Sequence, residues 1–149
     1  MQESGPRVTN RVAIAIAFLS IALVSCGPRV DRTAAKTVGD SFMSDLVANR
    51  LDDGLSKMEP ELVQMLGHDK TIEAMQKVFD YCGRPLGSQF QRDEIGFYAY
   101  LDGRKKPMRK FYYATPTAQL PDGGCYFAVL VVPGDQGDYR VVAFTAGKQ

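Results

Sequence analysis

The chain has 149 residues, of which 45% are hydrophobic and 23% charged, a composition typical of one soluble globular domain. Eighteen basic residues nearly balance seventeen acidic ones, so the formal net charge is +1. A chain this close to neutral does not predict wholesale binding to nucleic acid, and we expect no nucleic-acid partner.

An apolar segment near the N-terminus has the pattern of an export signal. It covers residues 12–24, follows Arg7 and Arg11, and is shorter than the roughly 20 apolar residues that a membrane-spanning helix needs. It ends in Leu23-Val24-Ser25-Cys26-Gly27, a run that resembles the lipobox of bacterial lipoproteins. The alternative is a buried helix with a chance cysteine, but residues 12–24 offer only Ser20 as a polar position to face solvent.

The lipobox resemblance implies a lipid-anchored protein of the cell envelope. Residues 1–25 would be a signal peptide, and Cys26 would then carry the acyl chains that hold the protein in the lipid bilayer. Residues 26–31 would form a short tether, and residues 32–149 a single α+β domain. The protein would face the periplasm from the outer or the cytoplasmic membrane. Gly27, which is not acidic, leaves sorting to the outer membrane open.

The first half of the domain has the periodicity of helices. Apolar residues recur there at four-residue spacing, as Val38, Phe42 and Leu46 do. This spacing predicts a helix over about residues 32–49, with Asp31 or Thr33 as its cap. A second, broken helical stretch is expected over about residues 52–67, and a third helix over about residues 69–82, where a glycine and a proline follow.

The second half has the composition of strands. Eleven of the chain's fifteen aromatic residues lie between Phe90 and Phe144, and turn sequences rich in glycine, proline and aspartate separate the apolar runs. We expect a long connection over residues 96–107. The four predicted strands of an antiparallel meander are residues 87–95, 108–115, 124–132 and 139–146.

About three helices followed by a curved, four-stranded antiparallel sheet resemble the cystatin-like and nuclear-transport-factor-2-like (NTF2-like) α+β folds. The resemblance is one of architecture and includes no diagnostic motif. It implies a sheet wrapped around the long first helix, often with a cone-shaped apolar pocket. Candidates for the lining of that pocket are Phe42, Phe97, Tyr112, Phe127 and Phe144. The simpler interpretation, which we favour, is that these aromatic residues fill the core.

Two cysteines remain once Cys26 is assigned to lipid. In an oxidising envelope compartment, Cys82 and Cys125 are expected to form a disulfide between the end of the third helix and the start of the third strand. The alternative is two separate buried thiols. A C-x-x-C arrangement is absent from the sequence, which disfavours a redox-active site.

The sequence contains few residues suited to catalysis. Its single histidine, His68, lies in a turn between predicted helices and is interpreted as a solvated linker residue. The sequence has no G-x-S-x-G motif, phosphate-binding loop or zinc-ligand spacing. We therefore predict no catalytic residues, no metal and no cofactor.

A basic cluster precedes the second strand. Its members are Arg104, Lys105, Lys106, Arg109 and Lys110. Such a cluster can contact an anionic surface, for example phospholipid headgroups, lipopolysaccharide phosphates, acidic wall polymers or an acidic partner protein. The alternative, slightly favoured, is a hairpin tip that charge keeps soluble.

Three functions remain compatible with the sequence. The first is a non-catalytic envelope lipoprotein that contacts the bilayer through acylated Cys26 and binds a partner protein or a small apolar ligand. The second is an NTF2-like enzyme that acts on a hydrophobic substrate with a tyrosine and a carboxylate. The third is a structural module of a larger envelope assembly.

Overall fold

The computed structural model describes residues 29–148. The predicted signal peptide, the lipobox and Cys26 lie outside these residues, so their assignment stays a prediction. Between residues 29 and 148, no helix combines the length and the apolar character needed to cross a bilayer.

Four helices form the first half of the domain, where about three were predicted. They are α1 (Arg32–Val47), α2 (Leu51–Ser56), α3 (Pro60–Leu66) and α4 (His68–Cys82). Of the two predicted caps of α1, Asp31 is the one observed, because its side chain accepts a hydrogen bond from the N–H of Ala34 at 2.7 Å.

Four antiparallel strands form one open sheet in the order β1-β2-β3-β4. They are β1 (Gln89–Ala99), β2 (Lys105–Thr115), β3 (Cys125–Pro133) and β4 (Tyr139–Lys148). The predicted α+β class and the antiparallel meander are therefore confirmed.

The connection predicted over residues 96–107 is mostly strand, so that prediction was wrong. β1 and β2 stay paired as far as Ala99 and Lys105, and the turn closes where the N–H of Tyr100 donates to the carbonyl of Arg104 at 2.8 Å. Gly103 has a φ of 87° in this turn, which glycine adopts without strain. The charged residues and glycines of this segment are typical of a loop. Backbone hydrogen bonding along the hairpin outweighs their low strand propensity.

The second helical stretch is divided because the residues between α2 and α3 join the edge of the sheet. Met58 forms a parallel bridge with Val141 of β4. The N–H of Val141 donates to the carbonyl of Lys57 at 2.9 Å, and the N–H of Glu59 donates to the carbonyl of Val141 at 2.9 Å. These bonds cover part of the exposed edge of β4 and place α3 beside that edge.

The main core lies between the helices and one face of the sheet. Fully buried members include Phe42, Met43, Leu46, Phe111, Phe127 and Val129. Gly39 allows α1 to approach β2 closely, since a Cβ at this position would lie 2.9 Å from the Tyr113 hydroxyl.

A second, smaller cluster packs on the opposite face of the sheet. Val132 belongs to it, whereas Val131 belongs to the main core, because adjacent residues of a strand point to opposite faces. Val142 and Tyr100 complete its buried part, and Leu62 of α3 packs against them. The second cluster therefore joins α3 to the β1–β2 hairpin across the end of the sheet.

The predicted disulfide between Cys82 and Cys125 is confirmed. Their Cα atoms lie 6.2 Å apart, within the usual range, and both residues are fully buried. The bond joins the last residue of α4 to the first residue of β3.

Candidate functional site

A groove opens between α3 and the β1–β2 hairpin, on the side of the sheet that carries the second cluster. It has a volume of about 420 Å³, and we call it the outer groove. The side chains that line it are mostly apolar, and the main ones are Leu62, Met65, Leu66, Tyr98, Leu101 and Val142. Three of these are unusually exposed for apolar residues: Met65 at 57%, Leu66 at 48% and Leu101 at 93%.

Both walls of the outer groove follow from local periodicity. On α3, Leu62, Met65 and Leu66 lie three and four residues apart and therefore share one side of the helix. On the hairpin, Tyr98 and Tyr100 are two residues apart, and their rings pack edge to face with centroids 5.0 Å apart. The groove is thus lined by an apolar helix surface on one side and by two aromatic rings packed edge to face on the other.

A buried carboxylate lies behind the aromatic wall. Glu59 is only 5% exposed, and it accepts hydrogen bonds from the Tyr100 hydroxyl and from Lys106 Nζ, the latter at 2.7 Å. Burial, together with the neighbouring Glu59, raises the pKa of Tyr100 well above its usual range, so Tyr100 stays neutral and donates. Both Glu59 oxygens are therefore engaged within the fold.

An ion pair joins the two walls at the rim of the outer groove. Arg104 Nη2 lies 2.6 Å from Glu61 Oε1 on α3, and Arg104 Nε donates to Asp102 in the hairpin turn at 2.5 Å. The guanidinium also lies over the Tyr100 ring, 4.9 Å from its centroid. These contacts hold the hairpin turn against α3.

The predicted basic cluster does not form one positive surface. Arg104 is paired as just described, and Lys106 Nζ contacts Asp135 at 3.0 Å in addition to Glu59. Burial lowers the pKa of Lys106, but the two carboxylates raise it more, so its ammonium stays charged beside them. The positive charges of Arg104 and Lys106 are therefore paired with carboxylates of the same domain.

The other three members of the cluster are divided between the two faces of β2. Arg109 Nη1 lies 2.5 Å from Asp93, on the face that carries the main core. Lys110 lies over the Tyr112 ring on the other face, 4.9 Å from its centroid. Lys105 is exposed at the start of the strand. Strand alternation and acidic neighbours therefore separate the members of the cluster, and a contact of all five with one anionic surface stays a prediction.

The five aromatic residues predicted to line a pocket do not line a common one. Phe42 and Phe127 are fully buried, and Phe144 packs edge to face on Phe42 with centroids 5.5 Å apart. Tyr112 lies on the opposite face, where its hydroxyl donates to Glu94 at 2.9 Å, and Phe97 is 72% exposed. The core interpretation therefore holds for the three phenylalanines Phe42, Phe127 and Phe144, because the first two belong to the main core and Phe144 packs against it.

His68 lies between two carboxylates at the start of α4. Its Nε2 is 2.8 Å from Asp52 and its Nδ1 is 3.0 Å from Asp69, and these contacts, with Asp69 the larger cause, raise its pKa. More than half of its side chain is exposed, as expected of a solvated linker residue. Among residues 29–148, no three His, Cys, Asp or Glu side chains form a group that could hold a metal ion.

No protein-family model matches the chain, and no curated protein or solved structure is significantly similar to it. The functional argument therefore depends on the residues of the site alone.

The outer groove was not found from the sequence. A signal was present in the spacing of Leu62, Met65 and Leu66, which places three apolar residues on one side of a seven-residue helix. That signal is indistinguishable from a core-facing stripe until the position of α3 at the sheet edge is known. Tyr98 and Tyr100 fell within the predicted connection and were not assigned to a face.

Proposed function

We propose that this protein is an exported, lipid-anchored envelope protein whose domain binds a small apolar ligand in the outer groove without catalysing a reaction. The observation that carries the binding role is the groove itself. Its volume of about 420 Å³ is within the range of about 300–1,000 Å³ typical of small-molecule sites. A ligand there would remove Met65, Leu66 and Leu101 from water, which is the main source of affinity for apolar molecules.

The anchored, exported location is supported by two independent features. The lipobox-like run ends at Cys26, and a Cys82–Cys125 disulfide is typical of proteins that fold in an oxidising compartment. The acyl chains on Cys26 would bind the lipid bilayer of the outer or cytoplasmic membrane, with the domain facing the periplasm.

The hydrogen bonds of the tyrosine and the carboxylate beside the groove favour a non-catalytic role. An acid–base pair needs a proton to exchange with substrate, whereas the Tyr100 hydroxyl donates to Glu59 and Lys106 occupies the other Glu59 oxygen. The enzyme hypothesis is therefore second to binding, although the proximity of Glu59 to the groove is the observation in its favour.

A distant relationship to cystatin-like or NTF2-like folds is also a proposal. It is supported by the single long helix α1 packed on an antiparallel sheet. If this relationship holds, the binding site of this protein differs from the cone-shaped pocket of those folds. The outer groove lies on the face of the sheet opposite to α1.

The binding role is tested with the apolar fluorophore N-phenylnaphthylamine and the variant Met65→Glu. Met65 is 57% exposed, so the variant should fold. Because Met65 lines the outer groove, an apolar ligand bound there would bury the new carboxylate, which is unfavourable. We expect the affinity for the fluorophore to fall about tenfold or more, which corresponds to about 1.4 kcal/mol. The measurement is a fluorescence titration.

The matched control is Leu86→Glu, which adds the same charge at a residue that is 58% exposed and lies outside the groove. It should leave the affinity unchanged. Equal loss of fluorophore binding in both variants, or no binding by the unaltered protein, would contradict the proposal. Loss of a co-purifying protein from Met65→Glu, with no fluorophore binding in any form, would point instead to a protein partner.

A further inference from the structure

We propose that one face of the β1–β2 hairpin contacts the surface of an anionic phospholipid membrane beside the lipid anchor. The segment concerned is residues 95–107, which we call the hairpin arm. The inference rests on the proposed acylation of Cys26 and goes beyond it, because it assigns a membrane-contacting surface and an orientation to the folded domain.

The two faces of the hairpin arm differ in what covers them. One face carries Tyr98 and Tyr100 and packs in the second cluster against α3. The opposite face carries Ile95 and Phe97, which are 76% and 72% exposed, because strand residues two apart share a face. The exposed face is on the side of the sheet that α1 covers elsewhere, beyond the point where that helix begins.

The exposure of Ile95 and Phe97 is unusual for residues of this size. Within the main core, the equivalent face of β2 carries Phe111 and Tyr113, which are 0% and 2% exposed. Large apolar residues grouped on a surface mark an interaction site more often than scattered ones do.

The position of Val30, four residues after the proposed acylation site, favours a membrane as the occupant of this surface. The carbonyl of Val30 accepts a hydrogen bond from Arg109 Nε at 3.3 Å, and Arg109 is the direct partner of Ile95 in the β1–β2 register. Val30 itself is only 8% exposed, so this end of the chain is fixed against the sheet. Cys26 precedes Val30 by four residues, which span at most about 14 Å. An acylated Cys26 would therefore hold the bilayer close to Ile95 and Phe97.

The charges around the hairpin arm fit an anionic lipid surface. Arg29, which precedes Val30, and Lys105, within the arm, are both exposed. Two carboxylates in or beside the arm are paired with arginine: Asp93 with Arg32 at 2.8 Å, and Asp102 with Arg104. Apolar side chains flanked by lysine and arginine are typical of segments that lie at the headgroup boundary.

The test uses tryptophan as a depth probe, because the chain contains no tryptophan of its own. Phe97→Trp and Ile95→Trp are made in the full, acylated protein and reconstituted in vesicles of phosphatidylethanolamine and phosphatidylglycerol. The control is Leu86→Trp, at a residue that is 58% exposed and precedes β1, beyond the end of the strand opposite to the arm. Bromine-labelled phospholipids then quench only tryptophans that reach the bilayer.

We expect blue-shifted and quenched emission from Phe97→Trp and Ile95→Trp, and unshifted, unquenched emission from Leu86→Trp. Acylated protein whose Phe97→Trp and Ile95→Trp emission matches that of the control would overturn the membrane contact alone. Intact mass on the same samples reports the acyl chains, and their absence would overturn the anchor together with the contact that depends on it. Quenching that disappears when phosphatidylglycerol is replaced by phosphatidylcholine would confirm the preference for an anionic surface.

Discussion

At the scale of single residues, one buried carboxylate that binds two basic side chains stabilises the domain. Asp45 on α1 is only 3% exposed, and it accepts hydrogen bonds from Lys57 and from Arg50 Nη2, the latter at 2.8 Å. Burial raises the pKa of Asp45, but the hydrogen bonds from Lys57 and Arg50 lower it more, so it lies below the ordinary value of 3.8. This carboxylate connects α1 to α2 and to the segment that bridges β4.

Asp45→Asn should lower the free energy of unfolding by about 2 kcal/mol at neutral pH, because hydrogen bonds to a charged group are lost. The folded-state pKa is below the unfolded one, so the contribution is complete above the ordinary carboxyl pKa. It is lost as the pH falls through the lowered pKa. Urea unfolding between about pH 5 and pH 2 should show the difference between Asp45→Asn and the unaltered protein shrinking towards acid.

A matched control for this prediction is Asp53→Asn. Asp53 also pairs with Arg50, at 3.2 Å, but its side chain is 61% exposed, and we expect a change below about 0.5 kcal/mol. A difference for Asp45→Asn that stays constant across the pH range would show that packing, not the charge, is responsible.

At the scale of elements, the α4–β3 connection depends on the disulfide. Cys82 and Cys125 are 43 residues apart in sequence, and closing a loop of this length stabilises the folded state by about 4 kcal/mol in the chain-entropy model. The double variant Cys82→Ala/Cys125→Ala should lose about that much free energy of unfolding. Urea denaturation of the variant, and of the unaltered protein with and without reductant, measures the effect. Reductant should leave the variant unchanged, and equal stability of the oxidised and reduced protein would refute the prediction.

The predicted elements are accurate where a capping residue close in sequence marks the end of a helix. The start of α1 at Asp31 and the end of α4 before Gly83 follow from capping chemistry within a few residues, and both are observed. The hairpin arm was mispredicted, although its pairing partners such as Ala99 and Lys105 are close in sequence, because its charges and its glycine have the composition of a loop. The division between α2 and α3 depends on a bridge from Met58 to Val141, a separation that periodicity does not detect.

At the scale of the whole molecule, the proposed lipid anchor at Cys26 would determine the location of the protein, and Cys26→Ser tests it. Without the thiol no acyl chain is added, so the precursor should remain unprocessed or the protein should be soluble. Membrane fractionation combined with intact mass measures both outcomes. A processed Cys26→Ser protein retained in the membrane would overturn the anchor, and the Met65→Glu variant, acylated normally, serves as the control for export.

The amino-acid sequence alone is enough to predict the α+β class, the order of helices before strands, and the Cys82–Cys125 pair, because periodicity, composition and cysteine count are properties of the chain itself. The outer groove and the exposed face of the hairpin arm depend on tertiary structure. Whether Leu62 or Phe97 is covered is set by the position of α3 at the β4 edge and by where α1 begins. Apolar residues have the same local pattern whether they fill a core or form a binding surface, and only packing against neighbours distant in sequence distinguishes the two.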